Sequence, residues 1–215
     1  MARETLASWA RAGRHVVHEA DTKALLSAAL VPVPERDPKE GRCVVKLASD
    51  RFPHKTEHGL VKLNVAAEDA RAAGATMTAK DSEGVLLIEE MIGDGVAEWI
   101  VGCRHDATFG PIVVIGAGGI FVELFDDQKV RLAPLDHDTA LRAITMQKAA
   151  KLLRGVRGRP AGDIAALTEL VVNLSRFFAE HAAVIEEIEI NPVIVRPEGR
   201  GVVAADALMT LRPQS

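Results

Sequence analysis

Glu187, Glu189 and Asn191 recur at every second position of EIEINPVIV, residues 187–195. That period puts three polar side chains on one face of a strand, and Ile188, Ile190 and Ile194 on the opposite, buried face. The turn-rich segment RPEGRG follows, then a second apolar run, VVAADALM; together they describe a hairpin. A turn centred between Glu198 and Gly199 pairs Asn191 with Asp206. Opposed residues of an antiparallel pair share a face, with side chains roughly 5 Å apart. An amide oxygen and a carboxylate at that separation are hard donors suited to one hard cation.

Lys46 is the second residue of interest. It lies in CVVKLAS, with Val45 and Leu47 on the other strand face. A lysine in an otherwise apolar strand is either an edge residue that snorkels or a contact for an anion. The polar loop RFPHKTEHG carries His54, Lys55 and His58. A four-residue histidine spacing suits zinc only on a helix, and Pro53 before it and a glycine-led strand after it argue against one. The stretch VIGAGGI, residues 114–120, ends a strand in three glycines. Glycine allows positive φ and close approach of a ligand to backbone N–H groups. It is not the dinucleotide fingerprint, because strand-like FVELF follows it and not a helix; ligand contact and plain turn both stand. Arg154, Arg157 and Arg159 read as a solvated loop.

The elements that must position these residues are legible in outline. The chain has 215 residues, 48% hydrophobic and 26% charged, with formal net charge −4, ample for a sizeable core. No basic stripe marks a nucleic-acid binder. No run approaches the ~20 apolar residues of a membrane span, and the N-terminus lacks a signal-peptide core, so the chain reads as cytoplasmic. Cys43 and Cys103 sit far apart in apolar runs, as reduced buried thiols do. A helix is expected over DTKALLSAAL with Asp21 as N-cap, stopped by VPVPERDP. Strands follow at RCVVKLAS and GLVKLNV, a short helix at AEDARAAGA, and a strand at GVLLIEEMI. AEWIVGCRH, GPIVVIGAGGI and KVRLAPL read as a meander. A helix runs from near Asp138 to about Leu153. Ile164, Leu167, Val171, Leu174 and Phe178 form the buried stripe of another. Grouped strands flanked by helices indicate an α+β fold in two lobes.

Taken in order, VVKLASDRFPHKTEHGLVKL, GPIVVIGAGGIFVELFDDQKVRLAPL, LLRGVRGRPAGD and EIEINPVIV…VVAADA resemble one family from about residue 19 onward. It is the ATP-grasp subunit of the NDP-forming acyl-CoA synthetases, the ADP-forming acetate–CoA ligase type, related to the succinyl-CoA synthetase β subunit. The resemblance implies a two-lobed ATP-grasp fold with a shortened N-terminal lobe. Residues 1–18 would form an N-terminal helical extension, 19–91 the N-terminal lobe and 92–215 the C-terminal lobe. It implies the reversible conversion of acyl-CoA, phosphate and ADP to free acid, CoA and ATP, with Mg²⁺ as cofactor.

By the same resemblance Lys46 contacts phosphate, Glu89 in LLIEEM meets adenine, and Glu98 in GVAEWIVG faces the ribose. Pro53, Lys55, Glu90 and Met91 join the nucleotide contacts. Asn191 and Asp206 match the metal ligands, with Glu189 joining the metal shell or orienting a water. His54 matches a histidine that relays a phosphoryl group to and from a second subunit. The chain lacks CoA-binding and ligase domains, so an α-type subunit carrying them is the implied partner in a hetero-oligomer. Two departures stand out. Pro34 to Cys43 is too short for the family's usual helix, and Leu60 replaces a common glycine after the histidine loop, a change expected to stiffen or crowd that loop. They motivate the alternative of a non-catalytic nucleotide-binding module with a regulatory or partner-binding role. A ligase forming carboxylate–amine bonds fits less well, given His54 and the lack of a further substrate domain.

Overall fold

The computed structural model describes residues 2–49, 58–119, 127–155 and 158–213. Helices and strands are mixed, and the chain divides into two compact units. The smaller comprises residues 18–21 and 34–93, the larger residues 1–17, 22–33 and 94–215.

The smaller unit is built on an antiparallel sheet in the order β3–β2–β4, where β2 is Arg42–Ala48, β3 Val61–Ala66 and β4 Val85–Glu90. Helix α3, Ala70–Thr78, follows a 3₁₀ turn at Ala67–Asp69. It packs on the sheet face that carries Cys43, Val45, Leu47 and Ile88, all buried with Met77 and Leu60. Leu60 is fully buried in this core; the histidine loop it was expected to crowd lies outside the described residues. Lys46 lies on the central strand of the three, so the edge reading of that lysine does not apply. Residues 34–41 contain no helix.

The larger unit carries one antiparallel sheet in the order β1–β10–β8–β5–β6–β7, with β9 also paired to β8. These strands are β1 Val16–Val17, β5 Ala97–Asp106, β6 Gly110–Ala117, β7 Lys129–Leu132, β8 Ile185–Val195, β9 Val202–Ala204 and β10 Ala207–Leu211. Its core gathers Trp99, Val101, Ile188 and Met209 of the sheet with Leu167, Val171, Leu174 and Phe178 of helix α5, Ile164–His181. The apolar stripe read from α5's sequence is therefore the face it buries. Asp163 caps this helix by accepting from the Ala166 N–H at 3.0 Å. Among the described residues no helix is long and apolar enough to cross a membrane. Cys43 and Cys103 are buried free thiols.

Several expectations are corrected. Residues 1–18 are not an extension: in α1, Ala2–Arg11, Leu6 and Ala10 belong to the core of the larger unit. Residues 22–33 also belong to the larger unit, because Leu25, Leu26 and Val31 bury in the same core. Helix α2 spans Glu19–Ala28, so Asp21 sits in its first turn and does not cap it. The helix expected to reach Leu153 is α4, His137–Thr145, capped by Asp136. There Gln147 turns extended, its amide donates to the Ala143 carbonyl, and a 3₁₀ segment, Lys148–Arg154, follows.

Ile194 is the remaining correction. It was expected on the buried face with Ile188 and Ile190, but that face continues through Val193 and Val195, and Ile194 is only half-buried. The cause is a bulge. Trp99 pairs with Val193 and Val101 with Ile190, so Asn191 and Pro192 together oppose Ile100. One extra residue reverses the alternation beyond it.

Candidate functional site

The hairpin of β8 with β9 and β10 keeps the register read from its turn. Val193 pairs with Ala204, and Ala207 with Ile190. The same register on both sides puts Asn191 opposite Asp206, and the Asn191 N–H donates to the Asp206 carbonyl at 3.1 Å. A neighbouring bond runs from the Ala205 N–H to the Pro192 carbonyl at 3.0 Å. Both strands change face here, at the bulge, so the two residues sit at a shared kink. That kink is supported from outside the sheet. Lys23 of α2, a buried side chain, donates to the Ala205 carbonyl at 2.7 Å, and the Ala204 N–H donates to the Pro32 carbonyl at 2.8 Å. The turn is held by Asp163, whose carboxylate accepts from the N–H groups of Gly199 and Gly201 at 3.0 and 2.9 Å. One side chain thus caps α5 and fixes the turn that sets the register.

Glu189 joins this pair. The Asn191 amide nitrogen donates to the Glu189 carboxylate at 3.3 Å, which turns the Asn191 side-chain oxygen away from it. The set is an amide oxygen and two carboxylates, the chemistry of a Mg²⁺ site. Among the described residues no group of three His, Cys, Asp or Glu side chains could hold a metal ion by itself. A Mg²⁺ ion here would complete its shell with water and phosphate oxygens, as is usual for it.

Glu98, exposed on β5, lies against the glycine end of β6. The Gly118 N–H donates to the Glu98 carbonyl at 2.8 Å. A Cβ on Gly118 would stand 3.1 Å from the Glu98 and Trp99 backbone, and one on Gly119 2.6 Å from the Glu98 carboxylate. Gly119 also has φ +61°, a conformation costly for residues with a Cβ. The glycines therefore make room for Glu98 and its strand.

The second cluster belongs to the smaller unit. On β2 and β4, Lys46 opposes Leu87 and Val44 opposes Glu89, so Lys46 and Glu89 are diagonal neighbours on one face. That face is opposite the one α3 covers. The Lys46 ammonium lies 3.1 Å from Glu89 and 2.8 Å from Glu19 of α2. The Lys46 side chain is 8% exposed and each carboxylate 2%. Breaking a buried pair of this kind typically costs about 3–5 kcal/mol. Glu90 is half-buried: its carboxylate accepts from the Glu35 N–H at 3.2 Å. The Met91 N–H donates to the Arg42 carbonyl at 2.8 Å.

Of the sequence-derived site residues, the structure brings Asn191, Asp206 and Glu189 together in the larger unit, and Lys46 with Glu89 in the smaller. His54, Pro53 and Lys55 lie outside the described residues. Glu19 was missed. Its sequence signal was one of two carboxylates, with Asp21, in the first turn of a helix, where acidic residues are common for the helix's own sake.

The ATP-grasp domain model matches residues 8–211. The β subunit of the ADP-forming acetate–CoA ligase I of Pyrococcus furiosus is 34% identical over 94% of this chain and 94% of its own. The ADP-forming acetate–CoA ligase of Methanocaldococcus jannaschii is 34% identical over 88% of this chain, but only 30% of its own length is covered. The chain spans a similar share, 24%, of a trans-feruloyl-CoA synthase that it matches. Among solved structures, the dinucleotide-forming acetyl-coenzyme A synthetase 1 of Ca. Korarchaeum cryptofilum is 32% identical, with a TM-score of 0.86. The match covers 99% of this chain and 100% of that one. That structure holds coenzyme A and Mg-AMPPCP, with a phosphohistidine segment pointing towards its nucleotide site.

Proposed function

The chain belongs to the ATP-grasp domain family, and from its similarity to β subunits of ADP-forming acetate–CoA ligases we propose a nucleotide-binding subunit of an ADP-forming acyl-CoA synthetase. Its reaction interconverts acyl-CoA, ADP and phosphate with free acid, CoA and ATP. The observation that carries the reading is the Asn191–Asp206 opposition beside Glu189, a hard-oxygen donor set held by backbone register.

Phosphoryl transfer needs positioning and charge neutralisation more than covalent help. Lys46 supplies a point charge to phosphate oxygens, Glu89 meets the base, and Glu98 the ribose. Pro53, Lys55, Glu90 and Met91 complete the nucleotide contacts. Asn191, Asp206 and Glu189 would hold Mg²⁺, which when bound neutralises charge on the phosphates. His54 is the acceptor. A neutral imidazole nitrogen attacks the γ-phosphorus of ATP, the bond to the β–γ bridging oxygen breaks, and ADP leaves with that oxygen. The phosphoryl group then passes to an acyl-CoA-forming site on an α-type partner subunit. The similarity to a chain named as a β subunit along nearly its whole length supports that division of labour.

The test is incubation with ATP labelled at the γ-phosphate, together with Mg²⁺. Acid-labile, base-stable label is expected on the wild-type chain and not on His54→Gln. Label surviving that substitution would move the acceptor elsewhere, and no label on either protein would count against catalysis.

A further inference from the structure

Lys46 is held by two carboxylates that come from different elements, Glu89 from the adjacent strand and Glu19 from α2. One partner is enough to bury a lysine, so the second calls for its own explanation. The two contacts are unequal: 2.8 Å to Glu19 against 3.1 Å to Glu89. Charge-assisted N–H···O bonds cluster at about 2.7–2.9 Å, so Glu19 makes the stronger of the two. Glu19 reaches Lys46 from a helix, whereas Glu89 belongs to the strand that leads into Glu90 and Met91.

We propose that Glu19 is a positioning residue for Lys46: it keeps the ammonium anchored while the Glu89 contact is exchanged for a nucleotide phosphate. The inference rests on the nucleotide reading of Lys46. When a ligand draws Glu89 away, the Glu19 contact limits the swing of the flexible Lys46 stem. With Glu19 in place the ammonium keeps one fixed partner throughout, and Glu89 is released to the base. A strand lysine fixed by a helix carboxylate is a general device for aiming an ammonium at phosphate, as in the lysine–glutamate pair of protein kinases.

The test measures ADP and adenosine affinities for wild type, Glu19→Gln, Glu19→Asp, Lys46→Ala and the Glu19→Gln/Lys46→Ala double variant. A charge-assisted hydrogen bond lost from the phosphate contact weakens binding by about tenfold or more. Glu19→Gln should therefore lose about tenfold for ADP and leave adenosine within about twofold. Glu19→Asp should recover part of the loss, leaving ADP about threefold weaker than wild type. In the Lys46→Ala background, Glu19→Gln should have no further effect. Unchanged ADP affinity in Glu19→Gln, or an equal loss in the Lys46→Ala background, would overturn the proposal.

Nitrogen NMR of the Lys46 ammonium reads the same role without nucleotide. An exchange-protected signal is expected in wild type and Glu19→Asp, and faster exchange in Glu19→Gln, where the Glu89 contact remains; a signal unchanged in Glu19→Gln overturns the anchor. Should Glu19→Gln not fold, Glu19→Asp decides, with ADP weakened about threefold and adenosine unaffected; no change for ADP overturns it. Failure of wild type to bind ADP would instead overturn the nucleotide reading, while the ammonium signal still reports whether Glu19 anchors Lys46.

Discussion

Asn191 and Asp206 are held opposite each other by the main chain itself, through the 3.1 Å bond from the Asn191 N–H to the Asp206 carbonyl. Their spacing therefore does not depend on what their side chains bind. A donor pair fixed in this way loses little conformational freedom on accepting a cation, which is the condition for a preorganised site.

Asp206→Asn keeps that backbone bond and removes one charge. Ligand charge sets divalent-ion affinity, so Mg-nucleotide binding should weaken by about tenfold or more. The fold should stay intact. Titration with and without Mg²⁺ separates the effects. An unchanged Mg-nucleotide affinity would remove the hairpin from the metal site.

Gly119→Ala tests the room that the glycines leave for Glu98. The left-handed backbone at φ +61° makes a side chain cost roughly 1–2 kcal/mol, visible as a lower melting temperature. The new methyl must also displace the Glu98 carboxylate, 2.6 Å from its position. Nucleotide affinity should therefore fall in Gly119→Ala as it does in Glu98→Ala. A melting-temperature loss with full affinity would leave Gly119 a turn residue and no more.

Asp94 gives a pH prediction. Hydrogen bonds from Arg196 at 2.7 and 2.9 Å, and then the charges of Arg196 and Arg200, hold its carboxyl below the usual carboxylate range. A depressed folded-state value means stability that is present above the unfolded value of about 4 and lost as pH falls through the folded one. Acid unfolding of wild type should therefore steepen below about pH 4, and Asp94→Asn should lack that component, the two curves converging at the lowest pH. Parallel curves would show that the pair contributes nothing. Asp94 is 37% exposed, so the effect should shrink in high salt.

Thioester synthesis should need company. Purified alone, with ATP, CoA and short carboxylic acids, this chain should give little or no acyl-CoA. Adding a subunit with CoA-binding and ligase domains should restore it. Robust synthesis by the isolated chain, with no second protein on a gel, would contradict the two-subunit reading.

Much of this was legible in the residues. The hairpin register followed from turn position and alternation, because pairing across a short turn is a local count. The strand that carries Lys46 was read correctly because its apolar alternation is also a local pattern. Ile194 was misplaced because a bulge depends on β5, a strand some ninety residues away, which no local pattern reveals. Glu19 was missed on similar grounds: only tertiary packing brings α2 to β2. The boundaries failed at the N-terminus because an amphipathic helix looks the same whether it is peripheral or docked.

The Asp163 clip on Gly199 and Gly201 bears on how this molecule can vary among descendants. Surface loops ordinarily absorb insertions at little thermodynamic cost. Here one residue gained or lost between Val195 and Val202 would shift Asp206 past Asn191 and turn it to the other face. Point substitutions in the turn are tolerable away from Gly199 and Gly201, whose φ values of +77° and +81° would strain any side chain. Length is the inherited quantity: the turn works as a ruler, and lineages that keep the cation pair should diverge in its letters while conserving its count.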